Sequence, residues 1–223
     1  MPIRVASAEF AKTATRSAEW PADRLPEVAF AGRSNVGKSS LLNALARREG
    51  LARVSATPGR TQALQFFRVA WQASPAARPR ALRFCDLPGY GFAKVARSER
   101  DRWALMIEEY LREREGLLAV VLIVDARLEA QQSDREALDF VAAQGRRVLV
   151  AATKIDKLTK SHRHGATQTL ARGLGVAANE VVPFSAVEGT GTDALWAHIA
   201  ALVRAAPETD GEAHPRAGGE GLE

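Results

Sequence analysis

The segment Gly32-Arg-Ser-Asn-Val-Gly37-Lys38-Ser39 constrains this chain more than any other stretch of it. It follows a short apolar run, Val28 to Ala31, and opens a stretch of helical character from Lys38 to Arg48. A strand that turns through glycines into a helix points backbone N–H groups inward around an anion, at the helix end whose dipole favours negative charge. Lys38 is then placed to neutralise the outer phosphates of a nucleotide, and the Ser39 hydroxyl to ligate Mg²⁺. The candidate phosphate cradle comprises Gly32, Arg33, Ser34, Asn35, Val36, Gly37, Lys38 and Ser39. Taken alone, it does not separate a GTPase from an ATPase or a small-molecule kinase.

The rest of the chain supplies the context that such a loop requires. Gln62 to Ala70 and Arg80 to Asp86 read as strands. Leu117 to Val124 and Arg147 to Ala152 are apolar runs rich in Val and Leu, as expected of strands buried on both faces. Helical patterns fall between them: Ser98, as N-cap, through Glu115, then Gln132 to Gln144 and residues 160 to 173. A strand near Glu180 to Pro183 and a helix from Thr192 to Ala205 follow. Alternation of this kind predicts an α/β fold, an open and mostly parallel sheet with helices on both faces. Residues 1 to 24 are weakly patterned and read as an N-terminal extension, 25 to 206 as the nucleotide-binding domain, and 207 to 223 as a disordered acidic tail.

Composition narrows the setting. Of 223 residues 46% are hydrophobic and 26% charged, with a formal net charge of +5, which excludes wholesale disorder and permits a nucleic-acid partner. No apolar run approaches the roughly 18 to 20 residues needed to span a bilayer, so a cytoplasmic protein without membrane association is expected. The single cysteine, Cys85, lies in the apolar run Leu82 to Leu87 and reads as a buried small hydrophobe.

Three later segments decide among the nucleotide classes. Asp86-Leu87-Pro88-Gly89 ends a strand, so that Asp86 can hold Mg²⁺ through water and the Gly89 amide can reach a third phosphate. In isolation the same tetrapeptide is a common turn. Thr153-Lys154-Ile155-Asp156 ends another strand. There the Asp156 carboxylate matches the two donors on one edge of guanine, which adenine does not offer, and Lys154 lays its stem along the base. Phe184, Ser185 and Ala186 follow the next strand, with backbone N–H groups of Ser185 and Ala186 offered to guanine O6.

The order and spacing of these segments are those of translation-factor-related GTPases. Together with Thr57-Pro-Gly-Arg-Thr61-Gln62 and the run Asp86-Leu-Pro-Gly-Tyr-Gly-Phe-Ala-Lys94, they resemble the EngB (YihA/YsxC) group of bacterial GTPases over residues 24 to 205. That resemblance implies the three-layer P-loop fold of small GTPases and a GTP/GDP-binding enzyme that serves large ribosomal subunit assembly and normal cell division and septation. Its partner would be the ribosomal large-subunit particle, with the GTPase acting as a monomer. It also implies a first switch within residues 50 to 61, in which Thr61 is a second Mg²⁺ ligand beside Ser39 and Asp86 while Thr57 shapes the turn before Pro58, and Gly59, Arg60, Gln62 and Ala63 as further nucleotide-binding residues. Thr153 replaces the Asn of the general pattern, as in that group, and weakens one expected hydrogen-bonding group near the base.

Lys38, Thr61 and Gly89 are the residues expected to act on the phosphates during hydrolysis. Tyr90 stands where Ras-type enzymes carry the Gln that orients attacking water, so unaided turnover should be slow. Asn35 suggests K⁺ as a compensating cation, since related bacterial GTPases use an Asn there. A nucleotide-gated RNA- or ribosome-binding module with little catalysis is the alternative. A membrane-trafficking GTPase is disfavoured, because the chain ends Gly221-Leu222-Glu223 without a lipidation cysteine.

Charge is unevenly spread. After Pro207 there are five acidic residues and one basic, leaving 30 basic against 21 acidic residues, or +9, over 1 to 207. Arg47, Arg48, Arg53, Arg60 and Lys94 are candidate RNA contacts. The charged helix after Lys94 reads mainly as a salt-bridged solvated face, and His162 and His164 as surface.

Overall fold

Along Glu27–Gly32 the side chains alternate between two apolar layers. Val28 and Phe30 enter one, Ala29 and Ala31 the other, as the two-residue period of a strand requires. This strand is the middle of the molecule. The computed structural model describes residues 3–52, 63–90 and 97–206. Among them are seven strands, β1 (Arg4–Ala14), β2 (Glu27–Gly32), β3 (Leu64–Gln72), β4 (Arg80–Asp86), β5 (Leu117–Asp125), β6 (Arg147–Thr153) and β7 (Val181–Pro183). Five helices accompany them: α1 (Lys38–Leu45), α2 (Arg97–Glu113), α3 (Gln132–Ala143), α4 (Lys160–Leu174) and α5 (Thr192–Ala205).

One sheet in the order β1-β3-β4-β2-β5-β6-β7 results. Strands β4, β2, β5, β6 and β7 run parallel, while β3 is antiparallel to both β1 and β4. Leu41, Leu42 and Leu45 of α1 and Leu195, Trp196 and Ile199 of α5 pack on one face. Tyr110 and Leu111 of α2, Val141 of α3 and Leu170 and Leu174 of α4 cover the other. The mostly parallel, three-layer α/β fold read from the sequence is thus the observed one.

Residues 4–14 differ from that reading. Instead of standing apart in an extension, they form the edge strand β1, registered on β3 from Arg4 opposite Gln72 to Ala14 opposite Leu64. Only Ala8 and Ala14 of β1 are buried, and irregularities at Val5/Ser7 and Phe10/Lys12 break its register, which erases the alternation that would have announced it. Helix α1 is shorter than expected, stopping at Leu45. Arg47 adopts a left-handed φ of 48°, and the Asn43 side chain turns the chain by bonding both the N–H and the carbonyl of Ala52. Ser98, expected as an N-cap, already lies within the helical backbone of α2. Cys85 is fully buried, and burial pushes its thiol far above the usual range.

Candidate functional site

Every described motif residue lies at the carboxyl ends of the parallel strands, where ligands of open α/β sheets bind. The phosphate loop leaves β2 between β4 and β5. Asp86 ends β4, Asp125 ends β5 and Thr153 ends β6, and the Ser185 turn follows β7.

The loop owes its shape to its glycines and its neighbours. Gly37 caps α1 with φ 106°, a left-handed value that disfavours other residues. At Gly32 a Cβ would lie 2.8 Å from Val36 Cγ1 and 2.9 Å from the Ile123 carbonyl, so only glycine fits. The Leu41 N–H bonds Gly37 O at 2.9 Å, so the loop runs directly into the N-terminus of α1, the helix end whose dipole favours an anion. Thr153 Oγ1, itself buried, sits 2.6 Å from Val36 O and 2.9 Å from Val124 O. Lys154, held at a left-handed φ of 61°, donates Nζ to Asn35 O at 2.7 Å and to Asp125 Oδ2 at 2.9 Å. Two consecutive residues of the Thr-Lys-Ile-Asp segment therefore clamp the phosphate loop from beneath. Nothing in the sequence signals this contact: the Thr153 hydroxyl supports the phosphate loop.

Asp125 and Asp134 carry no motif, and sequence reasoning missed both. Burial raises the Asp125 carboxyl, but hydrogen bonds from Arg127 and Lys154 outweigh it and hold the group at about 2, so it stays ionised and anchors Lys154. Asp134, 1% exposed in the first turn of α3, accepts from Arg33 Nε and from Tyr90 Oη, each at 3.1 Å, on the same carboxylate oxygen. Its other oxygen accepts from the Gln131 N–H in the α3 cap, a Gln-x-x-Asp spacing that was the available signal. Burial and the neighbouring Asp134 carboxylate drive the Tyr90 hydroxyl well above its ordinary range, so it remains a neutral donor.

Asp86 is buried and paired with Lys38 Nζ. Desolvation raises its pKa against the opposing pull of Lys38, so its ionised form gains from further positive charge nearby. With the half-buried Ser39 in the first turn of α1, it offers hard oxygen donors that fit Mg²⁺, which needs only one or two protein ligands beside phosphate oxygens. Leu87 and Pro88 are buried, and Leu87 N–H bonds Phe30 O, which fixes the direction of the segment that delivers Gly89.

Beyond β6, Asp156 Oδ1 accepts from Ser185 Oγ at 2.8 Å, and this bond, with Lys157 3.5 Å from Oδ2, lowers its pKa and keeps it ionised. The Ser185 amide is bonded to Thr190 O and is not available to a ligand, contrary to expectation, while Ala186 is exposed. Ile155 and Phe184 are core residues that carry the two turns: Ile155 N–H bonds Phe184 O, and Phe184 N–H bonds Ala152 O. Ala63 is half-buried just before β3. Thr57, Gly59, Arg60, Thr61 and Gln62 lie outside the described residues, as do Arg53 and Lys94. His162 and His164 are exposed on α4, bonded to Thr159 and Gln168.

A mostly parallel sheet with a phosphate loop at its centre, an acid at the end of the neighbouring strand and an acid–serine pair beyond β6 and β7 is the arrangement of a P-loop GTPase. The family model of 50S ribosome-binding GTPases matches residues 27–154. A probable GTP-binding protein EngB of Anaeromyxobacter sp. (strain K) is 66% identical over 97% of this chain and 100% of its own length. Its counterpart in Geobacter metallireducens is 47% identical over 92% of this chain and 97% of its own. The fold is shared with the crystal structure of a probable GTP-binding protein EngB, with TM-score 0.59 and 24% identity over 80% of this chain and 98% of that one. The chain belongs to the EngB family of GTP-binding proteins.

Proposed function

We propose that this GTPase hydrolyses GTP slowly when alone and acts as a nucleotide-controlled factor on the large ribosomal subunit during its assembly, with the family's link to cell division following from that role. The observation that carries the reading is the engagement of Tyr90. The residue after the Asp-Leu-Pro-Gly segment offers no carboxamide to orient water, and its hydroxyl is committed to Asp134. An enzyme so built needs a partner or a cation to complete its site, which suits a switch released by the particle it binds. Support for a ribosomal partner comes from the matched family description and from an Era structure of the same fold, solved with nucleotides 1506–1542 of 16S ribosomal RNA (TM-score 0.60, 23% identity, 84% of this chain and 59% of that one).

In this reading Ser39, Thr61 and, through water, Asp86 would hold Mg²⁺ beside the phosphates. Bound Mg²⁺ supplies charge neutralisation at the outer phosphates. Lys38 exchanges its pairing with Asp86 for the phosphate oxygens, and the Gly89 amide meets the third phosphate. Asp156 selects guanine by accepting from its two donors. Asn35 lies exposed in the loop with φ 61°, and it would help to hold K⁺, which would supply positive charge beside the phosphates. The protein works in the cytoplasm as a monomer. Among the described residues no helix is long and apolar enough to cross a membrane.

Co-sedimentation with ribosomal large-subunit particles in GDP, GTP and a non-hydrolysable analogue tests the switch, beside GTPase rates with and without particles and in matched KCl and NaCl. Nucleotide-dependent binding with particle-stimulated hydrolysis is expected. Binding that ignores the nucleotide would overturn the proposal, and equal rates in the two salts would remove K⁺. Nucleotide-dependent binding without stimulated turnover would instead favour the gated binding module, a reading to which the committed Tyr90 hydroxyl also lends weight. Asp156→Asn should lose the preference for GTP over ATP.

A further inference from the structure

Between the phosphate loop and Gly89 lies a polar group that the site as described leaves unused. Ser34 Oγ is buried and has no hydrogen-bond partner among the described residues. A buried hydroxyl left unpaired is costly, and native proteins keep few of them without a reason. This one faces the backbone of Gly89: a Cβ placed there would sit 3.1 Å from Ser34 Oγ and 3.5 Å from both Ser34 N and Gly32 O. Any side chain at position 89 would close the space in front of the hydroxyl.

Both walls of this corner are held in place. Tyr90 N–H donates to Gly32 O at 3.3 Å and Ser34 N–H to Tyr90 O at 3.4 Å, a short parallel bridge between the two segments. Behind it, one Asp134 carboxylate oxygen takes hydrogen bonds from Arg33 on the loop and from Tyr90 on the facing segment. The carboxylate is fixed in turn by the cap of α3. Three elements thus share a single buried acid, and the orphaned hydroxyl lies at the seam they form.

We propose that Ser34 Oγ reads the third phosphate of the bound nucleotide, and that Asp134 is the positioning residue that keeps Ser34 and Gly89 together around it. This rests on the guanine-nucleotide reading above. In that reading the phosphate-loop backbone serves the inner phosphates and Lys38 the outer ones, and the corner at Gly89 is where a third phosphate has its amide. A hydroxyl donating to a phosphate oxygen makes a charge-assisted bond. With a diphosphate the same hydroxyl stays unpaired, so the corner discriminates GTP from GDP by what each leaves unsatisfied.

Ser34→Ala and Tyr90→Phe in the full chain, titrated with Mg²⁺ and either GDP or a non-hydrolysable GTP analogue, test this. In Ser34→Ala the triphosphate should bind about fivefold to tenfold more weakly while GDP stays within about twofold. Thermal unfolding of the nucleotide-free variant should be unchanged or higher, because an unsatisfied group has been removed. Tyr90→Phe should move the triphosphate-to-diphosphate ratio the same way by about twofold to threefold, with the ring still in place. An unchanged ratio in Ser34→Ala, equal weakening of both nucleotides, or a drop in nucleotide-free stability would overturn the role of Ser34. An unchanged ratio in Tyr90→Phe would overturn that of Asp134. Failure of the wild-type protein to bind either nucleotide would instead sink the guanine-nucleotide reading itself.

Discussion

Thr153 shows how one side chain can belong to a base-recognition motif by sequence and to the phosphate loop by contact. Its hydroxyl has a single proton to share between Val36 O and Val124 O, and both acceptors are within reach. Replacing it with Val keeps the shape and removes the donor. Thr153→Val should therefore weaken GDP and GTP alike, by about fivefold to tenfold, the equivalent of one buried hydrogen bond. Guanine should still be preferred over adenine. Titration with fluorescent guanine and adenine nucleotides measures both quantities, and a changed base preference would return Thr153 to the base. The motif residues themselves were legible because phosphate and guanine chemistry demands particular residue types at short spacings. Asp125 and Asp134 were not, since the partners that tie each of them to the site are far off in the chain: Lys154 lies 29 positions from Asp125, and Arg33 lies 101 from Asp134.

Helices and strands were read well where burial on both faces made continuous apolar runs, as in β5, and poorly where one face meets solvent, as in β1. A second feature hidden from the sequence joins elements through charge. Glu27, fully buried at the start of β2, accepts from Tyr110 Oη and Arg114 of α2 and its exit and pairs with Arg83 of β4 at 3.5 Å. Arg83, 2% exposed, also pairs with Asp23. Charged residues in apolar runs look like interruptions, and only the fold shows that they meet. Such a cluster is costly to break from one side, because the remaining charge stays buried without compensation. Glu27→Ala should cost about 3–5 kcal/mol, and Tyr110→Phe, which removes one neutral donor, about 1–3 kcal/mol, both read from urea unfolding. Equal stability of Glu27→Ala and wild type would mean that Arg83 and Arg114 find other partners.

At the scale of the whole molecule, the basic surplus is the property most relevant to an RNA-rich partner. Many arginines are spent internally: Arg33, Arg83 and Arg114 face carboxylates, and Arg146 caps the carbonyls of Leu111, Arg112, Arg114 and Leu117. Pairing with acids removes both signs together, so the +9 of residues 1–207 survives it. It falls on exposed groups such as Arg4, Lys12, Arg48, Arg78 and Lys160. Each such group that replaces a counterion on a phosphate adds about 0.7 to 0.9 to the slope of log affinity against log salt. If about four make contact, particle affinity should fall about a hundredfold between 50 and 200 mM salt. The segment after Pro207, with five acids and one base, works against the same field. A chain ending at Ala206 should thus bind the particle more tightly than the full chain at low salt, and the difference should shrink as salt rises and the Debye length contracts. Particle affinity indifferent to salt, or a shortened chain that binds no better at any salt, would mean that shape and apolar contact carry the association and that the charge serves solubility alone.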